Sequence, residues 1–351
     1  MSCLDRARSA RTPRSRSAVR VVVAVLAVAL VGGVSACGSS ESGGAGAGQG
    51  PATATLADPN PVPLGTVPTP VLPATVPSFE AGEVTVTDVS RIIAVDRGGT
   101  LAQTVWALGL GDKLVGRASA AFPAMQQVTN VAGGNGSVSV EAVAAQRPTV
   151  FLTDSITATP VLRDQLRALG ITVVLFDPER TLAGVIPQIQ AVAAALGVPA
   201  QGEKLAQRTR DEIAAATAAV PHRDPKPKIA LLYLRSTAIT MMGGPGSGGD
   251  ALITALGGID AGTAVGLTQP FVPITSEAMI GAAPDTFLVM TDGLASIGGV
   301  DGLAKIPGLA QTPAGRSKHV IDMSDNVLLS FGPNTGRVLA ALVKALYGIQ
   351  V

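Results

Sequence analysis

From about residue 88 onward the chain alternates between two apolar patterns. Short runs rich in β-branched and aliphatic residues, at 91–95, 114–116, 149–153 and 172–176, predict strands. Ala/Leu-rich stretches at 101–108, 140–146, 161–169 and 182–196 fall between them and predict helices. A second set opens with the strand run 228–235 and carries the same alternation to the end of the chain. Strands that alternate with helices predict an open α/β sheet in each set. Residues 200–219 lie between the sets, opened by Pro199 and closed by Pro221, with Glu203, Lys204, Arg208, Arg210, Asp211 and Glu212 around an Ala/Leu stripe. At 1.5 Å per residue this is a helix about 30 Å long. The expected architecture is α/β: two similar lobes joined by a single long α-helix, with a ligand cleft between the lobes.

The halves echo one another. Ser139-Val140-Glu141-Ala142, followed by Pro148 and an apolar strand run, compares with Thr275-Ser276-Glu277-Ala278, followed by Pro284 and a second such run. Residues 107–112 (Ala-Leu-Gly-Leu-Gly-Asp) compare with 255–260 (Ala-Leu-Gly-Gly-Ile-Asp) in the same order. Two matched segments point to duplication, and two similar lobes facing a cleft make a natural small-ligand site.

The pattern before residue 88 is different. An arginine-rich start leads into the apolar run 21–31 and then small residues, the order of a secretory signal and too short for the roughly 20 residues of a membrane span. Val34-Ser35-Ala36-Cys37 resembles a bacterial lipobox, so Cys37 is the expected lipidation site and mature N-terminus. Five glycines between 43 and 50 and eight prolines between 51 and 77 then predict an extended tether. The expected organisation is a signal peptide at 1–36, the lipidated cysteine and tether at 37–87, an N-terminal lobe at 88–198, the connecting helix at 199–225 and a C-terminal lobe at 226–351. The expected location is the extracytoplasmic face of the cell membrane.

Charge and composition narrow the function. Six of the 26 basic residues and one of the 25 acidic ones fall in residues 1–36, so the remainder holds 20 against 24, a net charge of −4. No cationic face of the kind that tracks phosphates stands out, so nucleic acid is not an expected partner. Cys3, the other cysteine, lies in the segment a signal peptidase removes, which leaves no disulfide or thiolate metal site. The two histidines, His222 and His319, stand far apart, and neither a nucleophile elbow nor a metal-binding His pair is present. Residues 244–249 satisfy Gly-x-Gly-x-x-Gly between a strand and a helix, but the acid expected after a following strand is missing. A glycine loop lining a cleft is the better account. No enzyme is expected.

The most informative run is 229–235, Ile-Ala-Leu-Leu-Tyr-Leu-Arg. In a strand, Tyr233 and Arg235 share one face. A guanidinium beside a phenol favours the phenolate, a good ligand for ferric iron and an axial ligand in some haem proteins. A strand-end tyrosine simply bonded to an arginine fits the same residues.

These runs, together with 299–316 and Phe331-Gly332-Pro333, make the chain resemble the hemin-binding lipoproteins of actinobacterial haem ABC importers. More distantly it resembles binding proteins for siderophores and cobalamin. The resemblance spans most of residues 88–351. It implies haem as the transported ligand, held in the cleft, with Tyr233 on the iron and Arg235 as its phenolate partner. It also implies that Glu141 and Glu277 dock onto arginines of a permease, itself served by an ATPase. Relatives often supply a second axial ligand from an Asn-Gly-His turn, where this chain reads Asn135-Gly136-Ser137. Serine is a poor iron ligand, which leaves a five-coordinate iron, a water, or a methionine among Met125, Met241 and Met242. Arg97, Thr100, Arg117 and Ser119 are the candidate propionate partners, and Phe122 and Phe331 the candidate aromatic walls. The expected function is thus a monomeric haem-binding lipoprotein of an ABC importer. The alternatives are a ferric-siderophore or cobalamin receptor of the same class, or a ligand-sensing signalling lipoprotein.

Overall fold

The structure, a computed structural model, describes residues 50–133 and 136–351. The signal segment, Cys37 and Asn135 lie outside the described residues. Thirteen strands occur among those described: β1 (Ala52–Ala54), β2 (Ala74–Ser78), β3 (Gly82–Val86), β4 (Ile92–Val95), β5 (Leu114–Gly116), β6 (Val150–Asp154) and β7 (Thr172–Phe176), then β8 (Lys228–Arg235), β9 (Ile239–Gly243), β10 (Ile259–Asp260), β11 (Phe271–Pro273), β12 (Thr286–Met290) and β13 (Val320–Met323). They form two main sheets. The first is parallel, in the order β5-β4-β6-β7. The second runs β1-β13-β12-β8-β9-β11, with β10 beside β8; β1, β13, β12, β8 and β10 are parallel, and β9 and β11 pair antiparallel.

Both sheets are covered on both faces, which is why their strands read as unbroken apolar runs. In the first sheet, Ile93, Val95, Phe151, Val173 and Leu175 pack against Val143, Leu162 and Leu166 of helices Val140–Ala145 and Pro160–Ala168. The alternate residues Ile92, Ala94, Leu152 and Val174 turn to the other side. The second sheet divides in the same way. Ala230, Leu232, Phe287, Val289 and Val320 face an outer layer with Met279, Leu303 and Leu309. Ile229, Leu231, Leu288 and Ile321 face inward.

The two inward faces share one continuous core. It includes Leu205, Ala206 and Ala216 of the helix Pro199–Ala218, Val185, Ile189 and Val192 of the helix Leu182–Ala195, and Val338, Leu339 and Leu342 of the helix Thr335–Tyr347. The long helix therefore lies in the chain between the two sheets and also packs between their covering helices.

The echoed segments fold alike. Ser139 caps its helix by accepting from Ala142 N at 3.1 Å, and Thr275 caps Ser276–Ala282 by accepting from Ala278 N at 3.2 Å. Each places an exposed glutamate, Glu141 or Glu277, in the first turn, where the helix dipole favours an anion.

The tether expectation is corrected from residue 50 onward. β1 joins the edge of the second sheet beside β13, and the antiparallel hairpin β2–β3 packs on the first lobe. Leu56, Leu64, Leu72, Val76 and Val86 pack on the shared core. Glycine and proline frequency measures what a segment can bury by itself; here the partners lie far away in sequence, beyond the reach of composition.

Close packing of the long helix gives a test. A methyl group added at Gly336 would lie 2.4 Å from Glu212 Cβ and 2.7 Å from Ile213 N. Gly336→Ala is expected to cost about 1–3 kcal/mol of stability by such overpacking, read in urea unfolding as a lower midpoint with an unchanged slope.

Candidate functional site

β8 carries the inward face of the second sheet past the edge of the core. Ile229 and Leu231 are buried, and the same face continues to Tyr233 and Arg235, both half-buried. Across the sheet Tyr233 pairs with Met241 of β9, and Met241 with Pro273 of β11. Phe271 meets Tyr233 edge to face, with ring centroids 5.8 Å apart. The Arg235 guanidinium lies over the Tyr233 ring, 4.6 Å from its centroid, a cation–π arrangement. Arg235 Nη2 donates to Asp325 Oδ1 at 2.7 Å, and Nη1 donates to the Leu234 carbonyl at 2.8 Å. Asp325 also accepts from Asp292 N at 2.9 Å, so its carboxylate ties together the ends that follow β8, β12 and β13. The sequence pairing of Tyr233 with Arg235 is met in space. Asp325 and Phe271 carried no local signal, because they reach the site from distant parts of the chain.

The facing edge belongs to the first sheet. Asp96 follows β4, Asp154 ends β6, and Arg180 follows β7. Arg180 Nη2 stands 3.1 Å from Asp96 Oδ2 and 3.5 Å from Asp154 Oδ2, with both carboxylates almost wholly buried. Asp96 also accepts from Gly98 N, Thr100 N and Leu101 N at 3.2, 3.1 and 2.9 Å. Burial pushes the Asp96 carboxyl above its ordinary value, against the opposing pull of Arg180.

The two edges touch directly. Thr100 Oγ1 donates to the Ser330 carbonyl, and Asn326 Nδ2 to the Ala121 carbonyl at 3.4 Å. A methyl at Gly98 would come within 3.1 Å of the Leu329 carbonyl oxygen, and one at Gly248 within 2.9 Å of Phe331 Cε2 and 3.5 Å of Arg180 Cβ. Glycine lets these backbones meet. The cleft thus lies at the carboxyl ends of the strands of both sheets, the usual ligand position in open α/β sheets.

Several expected residues take other places. Phe331, 5% exposed, is packed in this floor with its ring edge at Gly248, and is not an open aromatic wall. Phe122 is buried against Trp106, edge to face at 5.2 Å. Met125 and Met242 are 0% and 2% exposed, inside the core, and cannot reach a ligand. Met241 is half-buried and stands beside Tyr233 on the same face of the sheet. Ser137 is exposed, in a turn where its carbonyl accepts from Gly133 N at 2.8 Å.

Of the candidate propionate partners, Thr100 is buried and bonded to Ser330, and Arg117 donates to the Val128 and Ala118 carbonyls at 3.0 and 3.1 Å. Arg180 and Arg235 are paired with carboxylates. Arg97, next to Asp96, is exposed and has no ion pair or hydrogen bond to another described residue. In the glycine loop 244–249, Asp250 accepts from Gly246 N at 2.9 Å and Gly248 N at 3.0 Å. The donors a dinucleotide phosphate would use are already taken by a carboxylate.

His319 stands outside the cleft, beside Thr286 Oγ1 at 3.0 Å and the Asp285 carbonyl at 3.1 Å. Burial lowers its ring below the ordinary histidine value. The fold therefore prefers the neutral ring, and that contribution is complete above about pH 6.5 and lost as pH falls through the lower, folded-state value. Urea unfolding between pH 7.5 and 5.5 is expected to show falling stability, with a shallower fall in His319→Asn.

Known proteins share this fold. The chain matches the family described as "Periplasmic binding protein" over residues 97–327. The crystal structure of the heme binding protein HmuT is 34% identical, covers 85% of this chain and 97% of its own, and superposes with a TM-score of 0.80. HmuT has also been solved with a histidine, a tyrosine or an arginine replaced by alanine, and the last two lie two positions apart, the spacing of Tyr233 and Arg235. The periplasmic heme-binding protein RhuT from Roseiflexus sp. RS-1, in apo form, is 36% identical over 74% of this chain and 99% of its own, with a TM-score of 0.69. The uncharacterized ABC transporter substrate-binding lipoprotein YvrC of Bacillus subtilis (strain 168) is 24% identical over 80% of this chain and 87% of its own length.

Proposed function

This chain belongs to the periplasmic binding protein family and is a substrate-binding protein of an ABC transporter; on that premise we propose that its cargo is ferric haem, held by Tyr233. The observation that carries the reading is the Tyr233–Arg235–Asp325 arrangement at the mouth of the cleft. Iron binding requires the phenol to lose its proton. Arg235, fixed over the ring by Asp325, holds the tyrosine in one orientation at the strand end. Asp325 positions that guanidinium and compensates its charge, so the site holds no unpaired cation beside the ring. Phe271 and Met241 supply an apolar surface beside the tyrosine for the porphyrin.

Haem also carries two carboxylates. Arg97 is the cleft-edge arginine whose charge is not already committed, and it is our choice for their partner. Glu141 and Glu277, exposed at equivalent helix starts of the two lobes, are suited to arginines of a permease. Two matching anions on two similar lobes would engage a membrane partner at two points. We place the folded part outside the membrane as a monomer, anchored by a lipid on Cys37. Chemistry on the ligand has no role: the family is one of transport proteins, not enzymes.

Titration of residues 38–351 with ferric hemin tests the site. A saturable one-to-one spectrum with a phenolate–iron charge-transfer band is expected. Tyr233→Phe should weaken binding at least about a hundredfold, since even outer-shell changes cost 10–100-fold at metal sites. Arg97→Gln should weaken hemin by roughly ten- to a hundredfold and leave hemin dimethyl ester unaffected. Equal hemin affinity for the wild type and Tyr233→Phe would remove the iron assignment. For the anchor, Cys37→Ser should move the protein from the membrane fraction to the soluble fraction of its host cells.

A further inference from the structure

The segment that composition marks as a spacer makes a continuous set of contacts with both lobes. It starts in the C-terminal lobe, where β1 runs parallel to β13 and Thr53 Oγ1 donates to Asp322 Oδ1 at 2.8 Å. It then turns at 58–60, folded by its own side chains: Asn60 N and Nδ2 both donate to Asp58 Oδ1 at 2.9 Å. Two residues of the C-terminal lobe hold this turn. Arg337 Nη1 donates to the Asn60 carbonyl at 3.0 Å and Nη2 to the Asp58 carbonyl, while Asn334 Nδ2 donates to the Pro59 carbonyl at 3.3 Å. The same turn reaches the N-terminal lobe, where Ala124 N donates to Asn60 Oδ1 at 2.8 Å.

From there the segment follows the long helix in the antiparallel sense. Arg208 Nη2 donates to the Val62 carbonyl at 2.6 Å, and Gln201 Nε2, two turns nearer the helix start, donates to Thr66 Oγ1 at 2.9 Å. The segment ends on the N-terminal lobe. Leu64 N donates to the Ala107 carbonyl at 3.0 Å, Val71 N to the Gly197 carbonyl at 2.8 Å, and Phe79 N to the Leu175 carbonyl at 2.9 Å.

We infer that residues 52–79 form a strap, a second linker antiparallel to the connecting helix, which holds the two lobes at a fixed separation so that the cleft is preformed. The shared core and the helix join the lobes along their inward faces. A second strand of chain, bonded to both lobes and to the helix at two points, adds restraint against twisting at the cleft edge. The turn at 58–60 is the critical part: it contacts Ala124 on one lobe and Asn334 and Arg337 on the other, beside the floor where Ala121 meets Asn326. The strap lies ahead of residue 97, where the family match begins.

Hydrogen–deuterium exchange on residues 38–351 tests it, comparing the wild type with Asn60→Ala, Arg337→Gln and the double variant. Amides at the junction (98–100, 121, 122, 124, 125, 330–332, 334 and 335) are expected to exchange about fivefold faster in each single variant. The double variant should exceed the worse single one only slightly, because both changes open the same staple. Amides of β6 and β12 should keep wild-type exchange, which shows that the lobes remain folded. Should the double variant unfold, Asn60→Ala, which removes only one half-buried side chain, decides the matter. Wild-type junction exchange in Asn60→Ala and Arg337→Gln would overturn the strap. Hemin release should quicken several-fold in the same variants, an arm that rests on the haem reading. Absence of hemin binding in the wild type would sink that reading and leave the exchange result to judge the strap.

Discussion

Everything in this molecule depends on one shared apolar layer. The two sheets do not have separate cores on their inward sides: Leu152 and Val174 of one and Leu231 and Leu288 of the other belong to the same cluster as Leu205 and Ala206 of the long helix. Burial of this kind contributes about 25 cal/mol for each Å² removed from water, and here it is available only when both lobes are in place. With the inward faces fixed to common helices, the carboxyl ends of both sheets meet at one edge. The cleft is the consequence of that meeting.

Charge at the cleft follows a related logic. Arginines near the strand ends would repel one another if left bare. Arg180 is therefore enclosed by Asp96 and Asp154, and Arg235 is held by Asp325. Buried or half-buried guanidinium groups need partners of this kind, because an unpaired charge taken out of water costs far more than the pair returns. Arg97, at the exposed rim, escapes the requirement since water solvates it. The result separates arginines held by carboxylates from Arg97, which bonds to no other described residue.

The strap and the long helix bear on how capture works. Binding proteins whose lobes move widely must spend part of their ligand affinity on closure. Here the floor is already close-packed, with Thr100 bonded to Ser330 and Gly248 against Phe331. Phe331 has a backbone φ of +35°, uncommon for a residue with a side chain. Close packing on both sides fixes a ring there that an open loop would not hold.

The alternation of strand and helix runs, the helix at 199–218, the two capped glutamate helices and the shared face of Tyr233 and Arg235 were all legible in the sequence. Each depends on periodicity or on neighbours within a few residues, and local sterics and capping act over that range. The tether reading failed at residues 50–87 because β1 completes its hydrogen bonds on β13, more than 250 residues away. Phe331 and Phe122, aromatic and near expected loops, looked like walls; burial against Gly248 and Trp106 was decided by packing. Asp325 as the partner of Arg235, and Arg97 as the candidate arginine with no bond to another described residue, could be found only in three dimensions. Sequence by itself determined which residue types stand on which face of which element. Tertiary structure alone decided which charges are compensated and which surfaces remain open, because both depend on contacts between segments whose separation along the chain bears no relation to their distance in space.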